Sequence, residues 1–235
     1  MTRRWSIWTL GIALMAALLL LPLRAALNEA DLAQLRLTAR QVAGSIWHGR
    51  IGDLTLDRQL IGTFDVRLNP VALLLGRVDM RFERIGSLSG PLTGGLRTGG
   101  QLRGVVDLTG QLPVAATFAP LPVESVDFEN ATILFRNGVC SEAKGRLTAR
   151  LGLQLGPTEP SRGLSGSLRC DGERVRAKLI SPSGSEQVEF YIASSGRLRG
   201  WITIRNAPPE IAAGLALYGF QPGPGGLTLS VDGRL

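Results

Sequence analysis

The chain has 235 residues, 44% of them apolar, which is enough to bury one sizeable core, and its 30 glycines and 13 prolines follow no collagen-like period. That composition reads as many short strands punctuated by turns. The net charge of +7 is carried almost entirely by arginines interspersed with Asp and Glu, and only 6% of residues are aromatic, so the clustered basic surface of a nucleic-acid binder is missing; a basic protein near anionic lipid is the plainer expectation.

After Arg3 and Arg4, residues 5–23 read "WSIWTLGIALMAALLLLPL", an uncharged apolar run. It has about the 20 residues that a helix needs to cross a bilayer core. The basic flank keeps the N-terminus in the cytoplasm and sends the remainder out, with Trp5 and Trp8 at the inner interface. A cleaved signal peptide is the competing reading. Cleavage after Ala25 or Ala26 would put Leu23 or Arg24 where a small residue is wanted, which favours an uncleaved anchor. The chain then divides into a tail and transmembrane anchor, 1–26, and an exported β-rich domain, 27–235.

Residues 28–40 start with a capping-type Asn28, place Glu29 and Asp31 in a first turn, and carry Leu32 and Leu35, a pattern that predicts a short helix. Beyond it the period changes to two. In "TFDVRL" Phe64, Val66 and Leu68 share one face; in "VDMRFE" Val78, Met80 and Phe82 do the same. The pattern recurs in "DLTLD", "RLTARLGLQL", "RVRAKLI", "QVEFYI", "RLRGWITIR" and "LTLSVDG". About ten strands, each with one wet face, predict an antiparallel sheet assembly.

Two segments break that rhythm. "NPVALLLG" offers Asn69 as cap, Pro70 at the first helical position and Gly76 as stop, and "NAPPEIAAGLALYG" repeats the design with Pro208, Pro209 and Gly219. Both predict short helices at sheet ends. "NG" at 137–138 is the strongest hairpin signal, and 156–163 and 221–226 read as longer exposed loops.

Chemistry is hard to assemble. No phosphate-binding loop or dinucleotide fingerprint occurs, and "GSLSG" at 86–90 has leucine where a hydrolase elbow has its nucleophile. "SEAK" at 141–144 matches a serine–lysine spacing, but in a strand an offset of three sends Ser141 and Lys144 to opposite faces. His48, the single histidine, has only Asp53 as a nearby partner, and with Cys140 and Cys170 it cannot complete a zinc site without carboxylates. No catalytic, cofactor-binding or metal residue is expected. The two cysteines could pair in an oxidising compartment. Strand parity opposes it, since Cys140 counts onto the polar face and Cys170 onto the apolar one, so pairing needs a bulge near "NG" or Gly145.

Taken together, four elements resemble the type II secretion system protein N family, with AsmA-like envelope proteins as wider relatives. They are a Trp-Gly element with Gly44, Ser45, Trp47 and Gly49; a "P-x-x-L-L-x-G" element with Pro70 and Gly76; the central "GGQLRGVVDLTGQLP"; and "APPEIAAGLALYGF" with Gly219, followed by a closing strand containing Gly233. The cysteines, in "VCSEAKGRL" and "LRCDG", also look like the family pattern. The resemblance implies a mainly β protein, with one N-terminal transmembrane helix and a curved antiparallel sheet domain with few helices. It implies a non-enzymatic accessory component of the bacterial inner membrane, N-terminus cytoplasmic and C-terminal domain periplasmic. Partners would be the secretin and inner-membrane platform proteins. In this reading His48 is a variable position in a structural turn. The alternative, suggested by the AsmA-like relatives, is a lipid-binding protein whose apolar sheet face stays open as a groove.

Overall fold

The period-two alternation is realised as antiparallel pairing. The computed structural model describes residues 23, 37–56, 59–86, 90–115, 123–152 and 163–234. The strands are β1 (Leu37–Thr38), β2 (Gln41–Gly44), β3 (Gly49–Leu56), β4 (Gln59–Leu68), β5 (Arg77–Ile85), β6 (Leu92–Gly99), β7 (Leu102–Pro113) and β8 (Val123–Arg136). They continue as β9 (Val139–Leu151), β10 (Leu164–Asp171), β11 (Arg174–Ile180), β12 (Glu186–Ile192), β13 (Arg197–Ile204), β14 (Gln221–Gly223) and β15 (Gly226–Arg234). Helix α1 (Pro70–Leu74) follows β4 and α2 (Pro209–Leu217) follows β13.

All fifteen strands belong to one sheet, and from β3 to β13 each pairs with its sequence neighbour. β15 returns to pair with β13, β14 lies outside it, and β1 and β2 run end to end along the free edge of β3. The expected strands are present, and the sheet is half again larger than the sequence suggested. β6 was hidden because "LTGGLRTG" puts Gly94 and Gly95 where the alternation would be read.

Both expected helices form. Asn69 Oδ1 accepts from the amides of Val71 and Ala72, which caps α1 ahead of Pro70. α2 starts after Pro208 and ends in a Schellman motif: Gly219, at φ +89°, donates to Ala216, and Phe220 donates to Leu215. Two expectations are corrected. Leu37–Thr38, the end of the predicted helix 28–40, is strand β1 paired with Leu56 and Thr55; edge pairing decides there, and residues 28–36 lie outside those described. The loop expected at 221–226 is instead a tight hairpin in which Gly223 pairs with Gly226, its Pro222 tolerated because β14 is an edge strand. The loop 156–163 lies outside the described residues except for Gly163. So does the expected membrane segment 5–23 except for Leu23, and among the described residues no helix is long and apolar enough to cross a membrane.

Two apolar clusters form on the sheet. The larger draws on β8 to β13, β15 and α2, and Val175, Ala177 and Leu179 of β11 are 0% exposed in it. Such residues need a second layer over them. Among the described elements, α2 supplies part of one, with Leu215 and the following Phe220 packed into the cluster. Three bulges interrupt the ladder and bend their strands locally. Asp53, Asp107 and Asn130, all at φ near +50°, sit at register shifts between β3 and β4, β7 and β8, and β8 and β9. Asp and Asn tolerate that left-handed backbone better than other side chains with a Cβ. The smaller cluster gathers Ile46, Ile51, Ile61, Phe64, Val66 and Leu92 with Leu23, and Leu108 and Leu112 of β7 touch both clusters.

Candidate functional site

The Trp-Gly element is the turn between β2 and β3. Ser45 and His48 exchange backbone hydrogen bonds of 3.2 Å in both directions, and Gly44 pairs with Gly49 beneath them. Gly44 has φ +87°, and a Cβ there would sit 2.6 Å from the His48 carbonyl oxygen, so glycine is required. Ile46 turns inward to the small cluster and Trp47 packs beside it, whereas His48 is exposed. A Cβ on Gly49 would come within 2.5 Å of Leu23 Cδ2. The turn is therefore the seat on which the C-terminal end of the long apolar run rests.

Nothing in this turn is built for proton transfer. No hydrogen bond or ion pair joins His48 to Asp53, whose backbone is absorbed by the β3 bulge. Asp65 instead accepts from Arg50 at 2.7 Å, and that hydrogen bond holds its carboxyl below the usual range, with smaller contributions from Arg50, His48 and Arg67 as charges. Ser141 and Lys144 are engaged apart: Ser141 Oγ donates to the Leu134 carbonyl, while Lys144 pairs with Glu142 at 2.6 Å. Among the described residues, no group of three His, Cys, Asp or Glu side chains could hold a metal ion.

The cysteines do pair. Cys140 and Cys170 form a disulfide with Cα atoms 5.6 Å apart. The parity objection is answered by a register shift between Leu134 and Phe135, which leaves Ser141 without an opposite residue and returns Cys140 to the buried side. The shift lies between the two places named from sequence.

Two side-chain clusters escaped the sequence reading. Arg84 is 3% exposed on the apolar side of β5 and donates to the carbonyls of Ile61 (3.2 Å), Gly90 (2.9 Å) and Gln111 (2.6 Å); burial pushes its pKa down. Its parity with Phe82 was visible in "VDMRFERI". On the outer face of β11 to β13, buried Glu189 accepts from Arg176 at 2.6 Å and from the Tyr191 hydroxyl at 3.1 Å, and Tyr191 stacks on Trp201 at 5.6 Å. Burial and the bond to Glu189 raise the Tyr191 pKa. Both clusters use their polar groups internally, as struts.

What remains for function is surface. A shallow polar depression of about 430 Å³ lies over β4 to β8, bordered by Arg81, Glu83, Asp107 and Asn130, with Arg81 and Asp107 paired at 3.0 Å. Large apolar side chains stand exposed on both helices: Val71, Leu74 and Leu75 at α1, Leu217 and Tyr218 at the end of α2. Pro70 and Gly76 bracket the first group, Gly219 follows the second, and Gly233 pairs with Leu198 in the closing strand. Across β8 to β15 the apolar residues of the larger cluster are buried.

A family model described as "Type II secretion system (T2SS), protein N" matches residues 36–230. No curated protein and no solved structure gives a significant match.

Proposed function

The chain belongs to the type II secretion system protein N family, and is thereby a component of a protein-transport machinery; from that membership we propose that it serves as an accessory inner-membrane component whose sheet domain supports assembly or operation of the export apparatus. The match over residues 36–230 carries this reading, because it takes in the whole described sheet except the end of its last strand. Residues 5–23 would anchor the chain with its N-terminus in the cytoplasm, and residues 27–235 would stand on the periplasmic side. The Cys140–Cys170 bond suits that oxidising side of the membrane. The role is non-catalytic, with Ser141, Lys144 and His48 all outside any nucleophile–base arrangement. Contacts are made to the secretin and to inner-membrane platform proteins. The groove alternative would need an open apolar face, and Val175, Ala177 and Leu179 are sealed.

Crosslinking in intact cells through a tagged full-length chain, followed by mass spectrometry, tests this. Recovery of secretin or platform proteins is the expected result. Stoichiometric phospholipid without those proteins would instead move the assignment to lipid binding.

A further inference from the structure

Helix α1 is an anomaly in a sheet that buries its apolar residues well. It contributes no buried residue, yet Val71, Leu74 and Leu75 are 63%, 87% and 70% exposed. Leaving three large aliphatic side chains wet on one short helix is unfavourable unless something covers them.

Its position suggests what does. α1 leaves β4 directly after Leu68, and Val66, two residues earlier, is paired with Gly49. Gly49 is where Leu23 sits. The apolar run 5–23 therefore ends at the same end of the sheet that carries α1. The rim beside the helix is basic: Arg77 opens β5, and Arg77, Gly99, Leu102 and Arg136 follow one another across β5 to β8 through their pairings. Arg103 stands next to that row. Arg77, Arg103 and Arg136 are exposed and have no ion pair among the described residues. An apolar tip flanked by unpaired arginines matches the interface of a bilayer containing anionic lipid, where aliphatic side chains enter the acyl boundary and guanidinium groups meet phosphates.

We infer that α1 and the Arg77–Arg103–Arg136 rim dock on the anionic surface of the same bilayer that residues 5–23 enter, so that the sheet is held at two points. This rests on the anchor reading of residues 5–23. A single anchoring helix fixes distance from the membrane but leaves the domain free to swivel; a second contact sets which face the sheet offers to its partners.

The test uses the full chain reconstituted in vesicles of phosphatidylcholine alone or with phosphatidylglycerol. An environment-sensitive fluorophore is attached at Leu74→Cys, at Ala16→Cys or at Leu217→Cys, and quenched by spin-labelled lipid. Leu74 and Leu217 are the most exposed leucines among the described residues, so neither change threatens the fold, and the native cysteines are bonded to each other. The expected result is quenching at 16 in both vesicles, quenching at 74 that increases with phosphatidylglycerol, and none at 217. Each of Arg77→Gln, Arg103→Gln and Arg136→Gln should lower the docked-to-undocked ratio at 74 about fivefold. Water exposure at 74 with quenching at 16 overturns the docking and leaves the anchor standing. Water exposure at both overturns the docking together with the anchor. A blue shift at 74 that appears in detergent and grows with protein concentration assigns α1 to a second copy of the chain, and also overturns the proposal.

Discussion

The two ends of the sheet solve the same packing problem with different means. From β8 to β15 the alternation is regular, as in "RVRAKLI", where Val175, Ala177 and Leu179 are fully buried and their neighbours are not. From β1 to β7 fewer residues are buried, and the cluster needs help: Leu23 from before the sheet, Trp47 from a turn and the carbonyl-binding Arg84. The first arrangement depends on the regular alternation of its strands, with α2 packed against them. The second depends on the chain that leads into it, which couples this end to whatever holds residues 5–23. The C-terminal part is thus the stable platform and the N-terminal part the end that responds to its surroundings.

Substitution in the larger cluster should have the greatest effect. Leu179→Ala is expected to cost about 2–5 kcal/mol and to weaken amide protection throughout the sheet. Val66→Ala, in the smaller cluster, should cost about 1–3 kcal/mol and loosen β3 to β5 while β10 to β13 keep their hydrogen-exchange protection. Equal loss of protection in both regions would show one cooperative unit and dissolve the contrast.

The disulfide belongs to the platform. Its cysteines are 30 residues apart, so closing the loop should stabilise by about 3–4 kcal/mol on the chain-entropy account. The Cys140→Ala, Cys170→Ala double variant should melt correspondingly lower. Intact-mass analysis of the non-reduced chain should find it lighter than the reduced form by the bond's two missing hydrogens, and free thiols in fresh protein would contradict the pairing.

At the other end the informative change is Gly49→Val. Added atoms would meet Leu23 Cδ2 and the Ser45 carbonyl, an overpacking expected to cost about 1–3 kcal/mol. In a Leu23→Ala background part of that cost should disappear. An unchanged penalty would mean that Leu23 does not rest on the turn.

A smaller effect is expected in the turn between β11 and β12. Burial alone would raise the Glu186 carboxyl, but hydroxyls of Ser181, Ser185 and Ser183 outweigh it and hold the pKa below the usual range. A depressed folded-state pKa gives stability that is complete above the unfolded value of about 4.3 and is lost as pH falls through the folded value. Glu186→Gln should therefore lower stability near neutrality and flatten the acid limb, with the two proteins converging as pH falls below the folded-state value. An acid limb identical in both proteins would assign it to other carboxylates.

Much of the fold was legible because its signals are local. Strand parity in "TFDVRL", the Asn69–Pro70 start of α1 and the Asn137–Gly138 turn, with φ +54° and +84° at its two central residues, each state their structure within a few residues. What escaped depends on pairing between strands. Asn130 and Ser141 are ordinary strand residues until the β8–β9 register leaves each one extra, and the second shift is what lets Cys140 reach Cys170. Gly94 and Gly95 interrupt the alternation of β6, and Thr38 follows a helical pattern yet is captured by the edge of β3. The exposure of α1 could not be read either: "PVALL" is apolar all round, and only its seating beside β5 shows that Ala72 and Leu73 are half-covered while Val71 and Leu74 stand exposed.

The smallest expected effect falls on the residue that looks most like chemistry. His48 contributes its backbone to the turn, donating its N–H to Ser45 and accepting from the Ser45 N–H, and alanine would keep both bonds. Its side chain is exposed and, among the described residues, hydrogen-bonded to no oriented partner, so His48→Ala should change stability by less than about 0.5 kcal/mol and leave secretion intact. Trp47→Ala, one position earlier, removes packing from the small cluster and should cost about 1–3 kcal/mol. Comparing the two in secretion and melting assays separates a turn that shapes the N-terminal end of the sheet from a site that acts through imidazole. A stable but secretion-deficient His48→Ala protein would establish the second, and with it a role for the shallow surface formed by Gly44, Arg50 and Asp65 around that ring.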